Sequence, residues 1–162
     1  MKRLLRGARV VDPANLVDGQ YDVLIDGERI AQVGRELPVD LVDGGEVLDL
    51  PSGLVLCPGF IDMHVHLREP GQEHKETVAT GVLSAVTGGF TAVACMPNTR
   101  PVNDNASVTQ LILQKAREAN LARVYPIGAV SRGQQGEELA DIAELHEAGC
   151  VAVTDDGLPI AT

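Results

Sequence analysis

Two rhythms of apolar and polar residues divide the chain. Up to about residue 57, short apolar runs at 4–11, 22–25, 29–33, 46–50 and 54–57 are punctuated by turn formers, which predicts the strands of a small β-rich domain over residues 1–57. Asp26-Gly27 separates the second run from the third and predicts a hairpin turn, because glycine accepts the positive φ such turns require. Asp12-Pro13 and Pro51-Ser52-Gly53 are further breaks, and the polar segment 34–45 reads as a loop without chemistry. From Pro58 the rhythm becomes strand, loop, helix, repeated. Strands are predicted at 60–66, 90–95, 123–130 and 150–154, with helices at 76–87, 107–120 and 138–147. Val78, Val82 and Val86 recur at helical spacing before Gly88-Gly89, and Val108, Leu111, Ile112 and Lys115 do so after Ser107, a candidate N-cap. Alternation of this kind predicts parallel βα units with right-handed crossovers.

Chemistry gathers where these strands end. Phe60, Ile61, Met63 and Val65 read as a buried strand with Asp62, His64, His66 and Arg68 interleaved. Alternate residues of a strand share a face, so His64 and His66 can present two imidazoles to one metal ion, and Arg68, continuing on that side, suits a carboxylate. A His-x-His pair alone is commonly two unrelated polar residues on a half-exposed strand. Four polar residues on one face of an apolar strand are costly to bury without partners, which favours the functional reading. Asn98 follows the second strand, Ser131 and Arg132 the third, Asp155 and Asp156 the fourth. Carboxyl ends of strands form the active-site face of a (β/α)8 barrel. An open doubly wound sheet also binds ligands there, but no Gly-rich phosphate loop is present to serve it. Since a full barrel takes ~250 residues, residues 58–162 are expected to be the first half of a metal-dependent (β/α)8 barrel, truncated from a longer chain. Closure by two copies as a homodimer is the minor alternative.

Composition narrows the partners. A net charge of −10 argues against nucleic acid and anionic membranes, and 2% aromatic residues with no Trp against base stacking. Cys57, Cys95 and Cys150 lie in apolar runs and read as buried free thiols. No leader opens the chain and no apolar run approaches the ~20 residues of a membrane span, so a cytoplasmic location is expected. Glu69, beside Pro70, reads as fixing a loop, and residues 73–76 as a solvated helix start. His74 and His146 read as solvated or structural, and Asp62 as orienting a ligand or satisfying backbone groups.

Three segments, Gly59-Phe-Ile-Asp-Met-His-Val-His-Leu-Arg-Glu-Pro-Gly71, Met96-Pro-Asn-Thr-Arg-Pro101 and Thr154-Asp-Asp-Gly157, resemble the successive motifs of bacterial dihydroorotases, of the amidohydrolase superfamily. The resemblance spans essentially the whole chain, the β-rich start included. It implies a zinc enzyme with two ions per site, in which His64 and His66 hold the more buried ion. Asp155 and Asp156 are nearly interchangeable by sequence; the offset of Asp156 from His64 matches the form of the family that bridges the metals with Asp, so the resemblance implies Asp156. His66, Arg68 and Asn98 face the substrate, Arg68 and Asn98 holding its carboxylate. The implied reaction is the reversible cyclisation of N-carbamoyl-L-aspartate to L-dihydroorotate in pyrimidine synthesis. Further metal-binding histidines and a proton-shuttling aspartate are expected beyond Thr162, so this stretch alone is expected to be catalytically silent. Alternatives are a hydantoinase, dihydropyrimidinase or allantoinase, or a non-catalytic scaffold subunit. The resemblance leaves open a homo-oligomer or a transcarbamoylase partner; nucleic acid and membrane are not expected.

Overall fold

The computed structural model describes residues 1–160, which form two compact units, one of Met1–Pro58 and one beginning at Gly59. The first holds β1 (Lys2–Asp12), β2 (Val17–Asp26), β3 (Arg29–Gly34), β4 (Glu46–Asp49) and β5 (Val55–Leu56). The strand order is β3-β2-β1-β4, with β5 also paired to β1. β1–β2 and β2–β3 are antiparallel, whereas β4 and β5 join β1 in parallel. The buried Asp22 carboxylate accepts from the backbone N–H of Gly7 at 3.0 Å and of Leu37 at 2.9 Å, so its burial leaves those donors satisfied. Segment 34–45 departs from the expected bare loop. It contains a 3₁₀ turn, Val39–Val42, and Leu37 and Val42 pack with Leu4 and Leu24 in this unit's core, because its few apolar residues have a sheet face to cover.

The second unit contains β6 (Phe60–Val65), α1 (Val78–Thr87), β7 (Phe90–Cys95), α2 (Ala106–Ala119), β8 (Arg123–Gly128), α3 (Ile142–Ala148) and β9 (Ala152–Val153). The strands lie side by side in the order β6-β7-β8-β9, all parallel, as in part of a (β/α)8 barrel. Its core joins Leu67, Val78, Val82, Val93, Cys95, Val108, Ile112 and Val124. Helix starts differ from expectation through local hydrogen bonding. α1 is capped by Thr77, in a reciprocal box with Thr80. Asn105 rather than Ser107 caps α2, its Oδ1 accepting from the N–H groups of Ser107 and Val108. α3 begins only after Asp141, whose carboxylate accepts from Glu144 N–H at 3.0 Å, because Leu139 bridges back to Ser131 as extended chain. Phe60, Ile61 and Met63, expected to be buried, are 55%, 63% and 77% exposed. Among the described residues, β6 has a neighbouring strand on one side only.

Ile112 is 1% exposed within the core, while its neighbour Leu111 is 37% exposed. Ile112→Ala is expected to lower unfolding free energy by about 2–5 kcal/mol through lost burial and a residual cavity. Leu111→Ala should change it by less than half as much, and urea unfolding of both variants checks the difference.

Candidate metal centre

β6 delivers the two histidines. Their ring centroids are 5.3 Å apart, so the alternation that places both on one side holds to the strand's end. Asp156 comes from the opposite edge of the sheet, just past β9. Three strand spacings separate β6 from β9, about 14 Å if the sheet were flat, yet His64 Nε2 lies 3.1 Å from Asp156 Oδ1. The sheet therefore curls, carrying its last strand end back towards its first.

His64, His66 and Asp156 each offer a ligand atom, and these atoms all lie within 4.8 Å of one another. Donors about 2.0–2.2 Å from one zinc ion in a tetrahedral arrangement are roughly 3.3–3.6 Å apart, so these two imidazoles and a carboxylate fit a metal ion in donor type, and their separation needs only small side-chain adjustments to close on one. Asn98, at the end of β7, ties the group together. Its Nδ2 donates to Asp156 Oδ2 at 2.7 Å and its Oδ1 lies 3.0 Å from His66 Nδ1. Because a carboxylate only accepts, the amide nitrogen must face Asp156, and its oxygen then requires a proton on His66 Nδ1. That tautomer leaves the lone pair of His66 on Nε2, while the approach to Asp156 is made by Nδ1, 3.8 Å from Oδ2.

The consecutive aspartates divide their labour. Asp155 is 3% exposed and accepts from the backbone N–H groups of Val130 and Ser131 and from the Ser131 hydroxyl. Asp156 faces the histidines. Asp62 accepts from His64 N–H at 3.0 Å, the backbone-satisfying member of its two expected roles.

Arg68 does not continue the strand alternation. β6 stops at Val65 and Arg68 has φ +62°, so a left-handed turn redirects its side chain. Among the described residues, no carboxylate lies within 4.0 Å of its guanidinium. The turn is pinned at several points. Arg100 N–H donates to Pro70 O at 2.9 Å, Gln72 Nε2 donates to Asn98 O at 3.0 Å, and Glu69 Oε2 accepts from Val78 N–H at 2.9 Å at the start of α1. Glu69 is thus a loop anchor. Gln72 escaped the sequence reading, since a glutamine in a polar loop carries no pattern. Asn103 escaped it too. It is fully buried, donates to Ile127 O at 2.9 Å and accepts from Thr109 Oγ1 at 2.7 Å, anchoring the loop that presents Asn98.

Other candidates lie apart from this group. Arg132 pairs with Glu138, and His74 and His146 are exposed and outside it. Cys57 is exposed, not buried as expected, because it follows the two-residue strand β5. Burial pushes the Cys95 thiol up to about 12 and raises that of Cys150, so both stay protonated near neutral pH.

Comparison with known proteins places the chain in a family. A family model described as dihydro-orotase-like matches residues 53–162. The chain is 52% identical to a dihydroorotase of Syntrophotalea carbinolica over 99% of this chain and 37% of that protein. Against a dihydroorotase of Anaeromyxobacter dehalogenans it is 56% identical over 96% of this chain and 35% of the relative. The chain thus spans little more than a third of the length of these curated relatives. Among solved structures, L-hydantoinase from Arthrobacter aurescens superposes with a TM-score of 0.76 at 20% identity, covering 93% of this chain and 32% of that one, a likeness of fold. Dihydropyrimidinase from Brevibacillus agri gives a TM-score of 0.66 at 30% identity, over 81% and 28% of the two chains. The strand-end histidines and aspartate thus stand in a chain that half its positions tie to those relatives, and it belongs to the dihydro-orotase-like family.

Proposed function

We propose that residues 58–162 are the amino-terminal half of the barrel of a zinc-dependent dihydroorotase, which interconverts N-carbamoyl-L-aspartate and L-dihydroorotate. The observation that carries this reading is the convergence of His64, His66 and Asp156 in a chain about half identical to proteins named dihydroorotase. In the proposal His64, His66 and Asp156 would hold zinc, with an Asp156 oxygen towards each histidine; a second ion, if bound, would share Asp156. Bound zinc supplies Lewis acidity, acidifying water and polarising a carbonyl. The protein's own part is positional. Asn98 keeps His66 in the tautomer whose Nε2 is free, and its second amide hydrogen remains for a substrate carboxylate. Arg68, with no carboxylate partner among the described residues, supplies the matching positive charge, and its planar fork selects a carboxylate over a neutral amide.

Arg68 also separates this reading from hydantoin or dihydropyrimidine hydrolysis, the activities named for the structural neighbours. Those ring substrates need no carboxylate partner. In the full-length protein, metal stripping is expected to abolish L-dihydroorotate hydrolysis and zinc to restore it, with turnover faster than on hydantoin, dihydrouracil or allantoin. Faster turnover of any of those three would transfer the assignment to that substrate. The stretch 1–162 by itself is expected to be silent. The proposal places the enzyme in the cytoplasm, where the unpaired cysteines stay reduced. Among the described residues no helix is long and apolar enough to cross a membrane.

A further inference from the structure

The pairing of β8 with β9 is brief. Ile127 faces Ala152, Gly128 faces Val153, and Thr154 N–H donates to Gly128 O at 2.9 Å. There the backbone ladder stops. Beyond it the side chain of Asp155 takes over: Oδ1 accepts from Val130 N–H at 2.8 Å and from Ser131 N–H at 3.1 Å, and Oδ2 accepts from the Ser131 hydroxyl. Ser131 Oγ in turn accepts from Gly136 N–H at 2.8 Å. A carboxylate 3% exposed is held there by three donors, as burial demands.

This lashing has a geometric consequence one residue on. With residue 155 fixed to the end of β8, the backbone from which residue 156 projects is fixed as well. Asp156 adopts φ +41°, a conformation that aspartate tolerates better than most residues but that still needs support. Its own N–H donates to Thr154 Oγ1 at 3.0 Å. Its carboxylate is thereby delivered to His64 and to Asn98. We propose that Asp155 is the positioning residue that aims Asp156 at the two histidines. The proposal rests on reading His64, His66 and Asp156 as a metal centre, and it assigns Asp155 to hydrogen-bonding geometry rather than to ligation or charge.

Geometry and charge are separable by substitution. Asp155→Ala removes every acceptor and frees Asp156 to relax. Asp155→Asn removes the charge but keeps Oδ1 for the two N–H groups, while its Nδ2 can donate to Ser131 Oγ. The test is cobalt(II) titration of the metal-stripped full-length protein, followed by visible absorption, with thermal melts of the metal-free variants as the control for folding. Asp155→Ala is expected to weaken cobalt binding by about 10- to 100-fold and to alter the absorption bands, Ser131→Ala to weaken it by about 3- to 10-fold, and Asp155→Asn to stay within about threefold of the parent. Asparagine as damaging as alanine would overturn the proposal in favour of charge or direct ligation. Unchanged affinity in Asp155→Ala, with only a lowered melting temperature, would reduce the residue to a structural one. Should the alanine variant not fold, Ser131→Ala and Asp155→Asn decide, and unchanged affinity in the former or a tenfold loss in the latter overturns the proposal. His64→Ala tests the underlying reading separately: cobalt bound as tightly by that variant as by the parent rejects the metal centre itself.

Discussion

In the full-length protein, His64→Ala is expected to lower kcat/KM for L-dihydroorotate by roughly 10³-fold or more. A catalytic metal ion supplies several kcal/mol of transition-state stabilisation, and each 1.36 kcal/mol is a factor of ten. His64 faces Asp156 directly at 3.1 Å, so its loss removes one donor and uncouples the carboxylate that spans both histidines. Its side chain is 61% exposed, so the fold has little to lose and the melting temperature of the metal-free variant should stay near that of the parent. His146→Ala, on the exposed face of α3, is the matched control and should leave turnover unchanged. A His64→Ala enzyme retaining more than a tenth of parental kcat/KM would remove this residue from the ligand set.

Gly71→Ala is expected to be nearly as damaging without touching any candidate ligand. Gly71 has φ +90°, and a Cβ there falls 1.9 Å from Arg100 O and 2.6 Å from Arg100 Cβ. Backbone cannot yield as a flexible side chain does, so the turn carrying Arg68 must part from the loop carrying Asn98. Displacements of about 1 Å at a positioned group cost on the order of 10²-fold in rate. Because Arg68 and Asn98 are assigned to the substrate carboxylate, most of the loss measured with metal in excess should appear as a raised KM, with some weakening of metal binding because Asn98 also holds His66 and Asp156. Steady-state kinetics beside metal analysis separate this outcome from loss of the metal. A variant with parental KM would show that the two loops adjust independently.

How much of this was legible in sequence depends on the range of the signal. The βα alternation after Pro58 and the facing of His64 and His66 follow from periodicity, which is a local property, and both are present. Helix starts at Thr77, Asn105 and Asp141 were displaced by a few residues, because a cap depends on which side chain reaches which N–H. Arg68 was misplaced because a positive φ two residues beyond His66 ends the strand's period. The division between Asp155 and Asp156 was beyond any local pattern, since it depends on Val130 and Ser131 lying across the neighbouring strand end. Exposure of Ile61 and Met63 likewise depends on what packs against β6, which no local pattern records.

The reach of Asp156 across the curled sheet to His64 bears on the life of the protein as well as on its chemistry. A cation held there binds only the folded, curved state, and a ligand at a hundredfold excess over its Kd favours that state by about 2.7 kcal/mol. Shifts of this size change how much protein escapes proteolysis in a cell. Supply of the bound metal would then govern abundance, and a cell starved of it would hold fewer molecules, not simply idle ones.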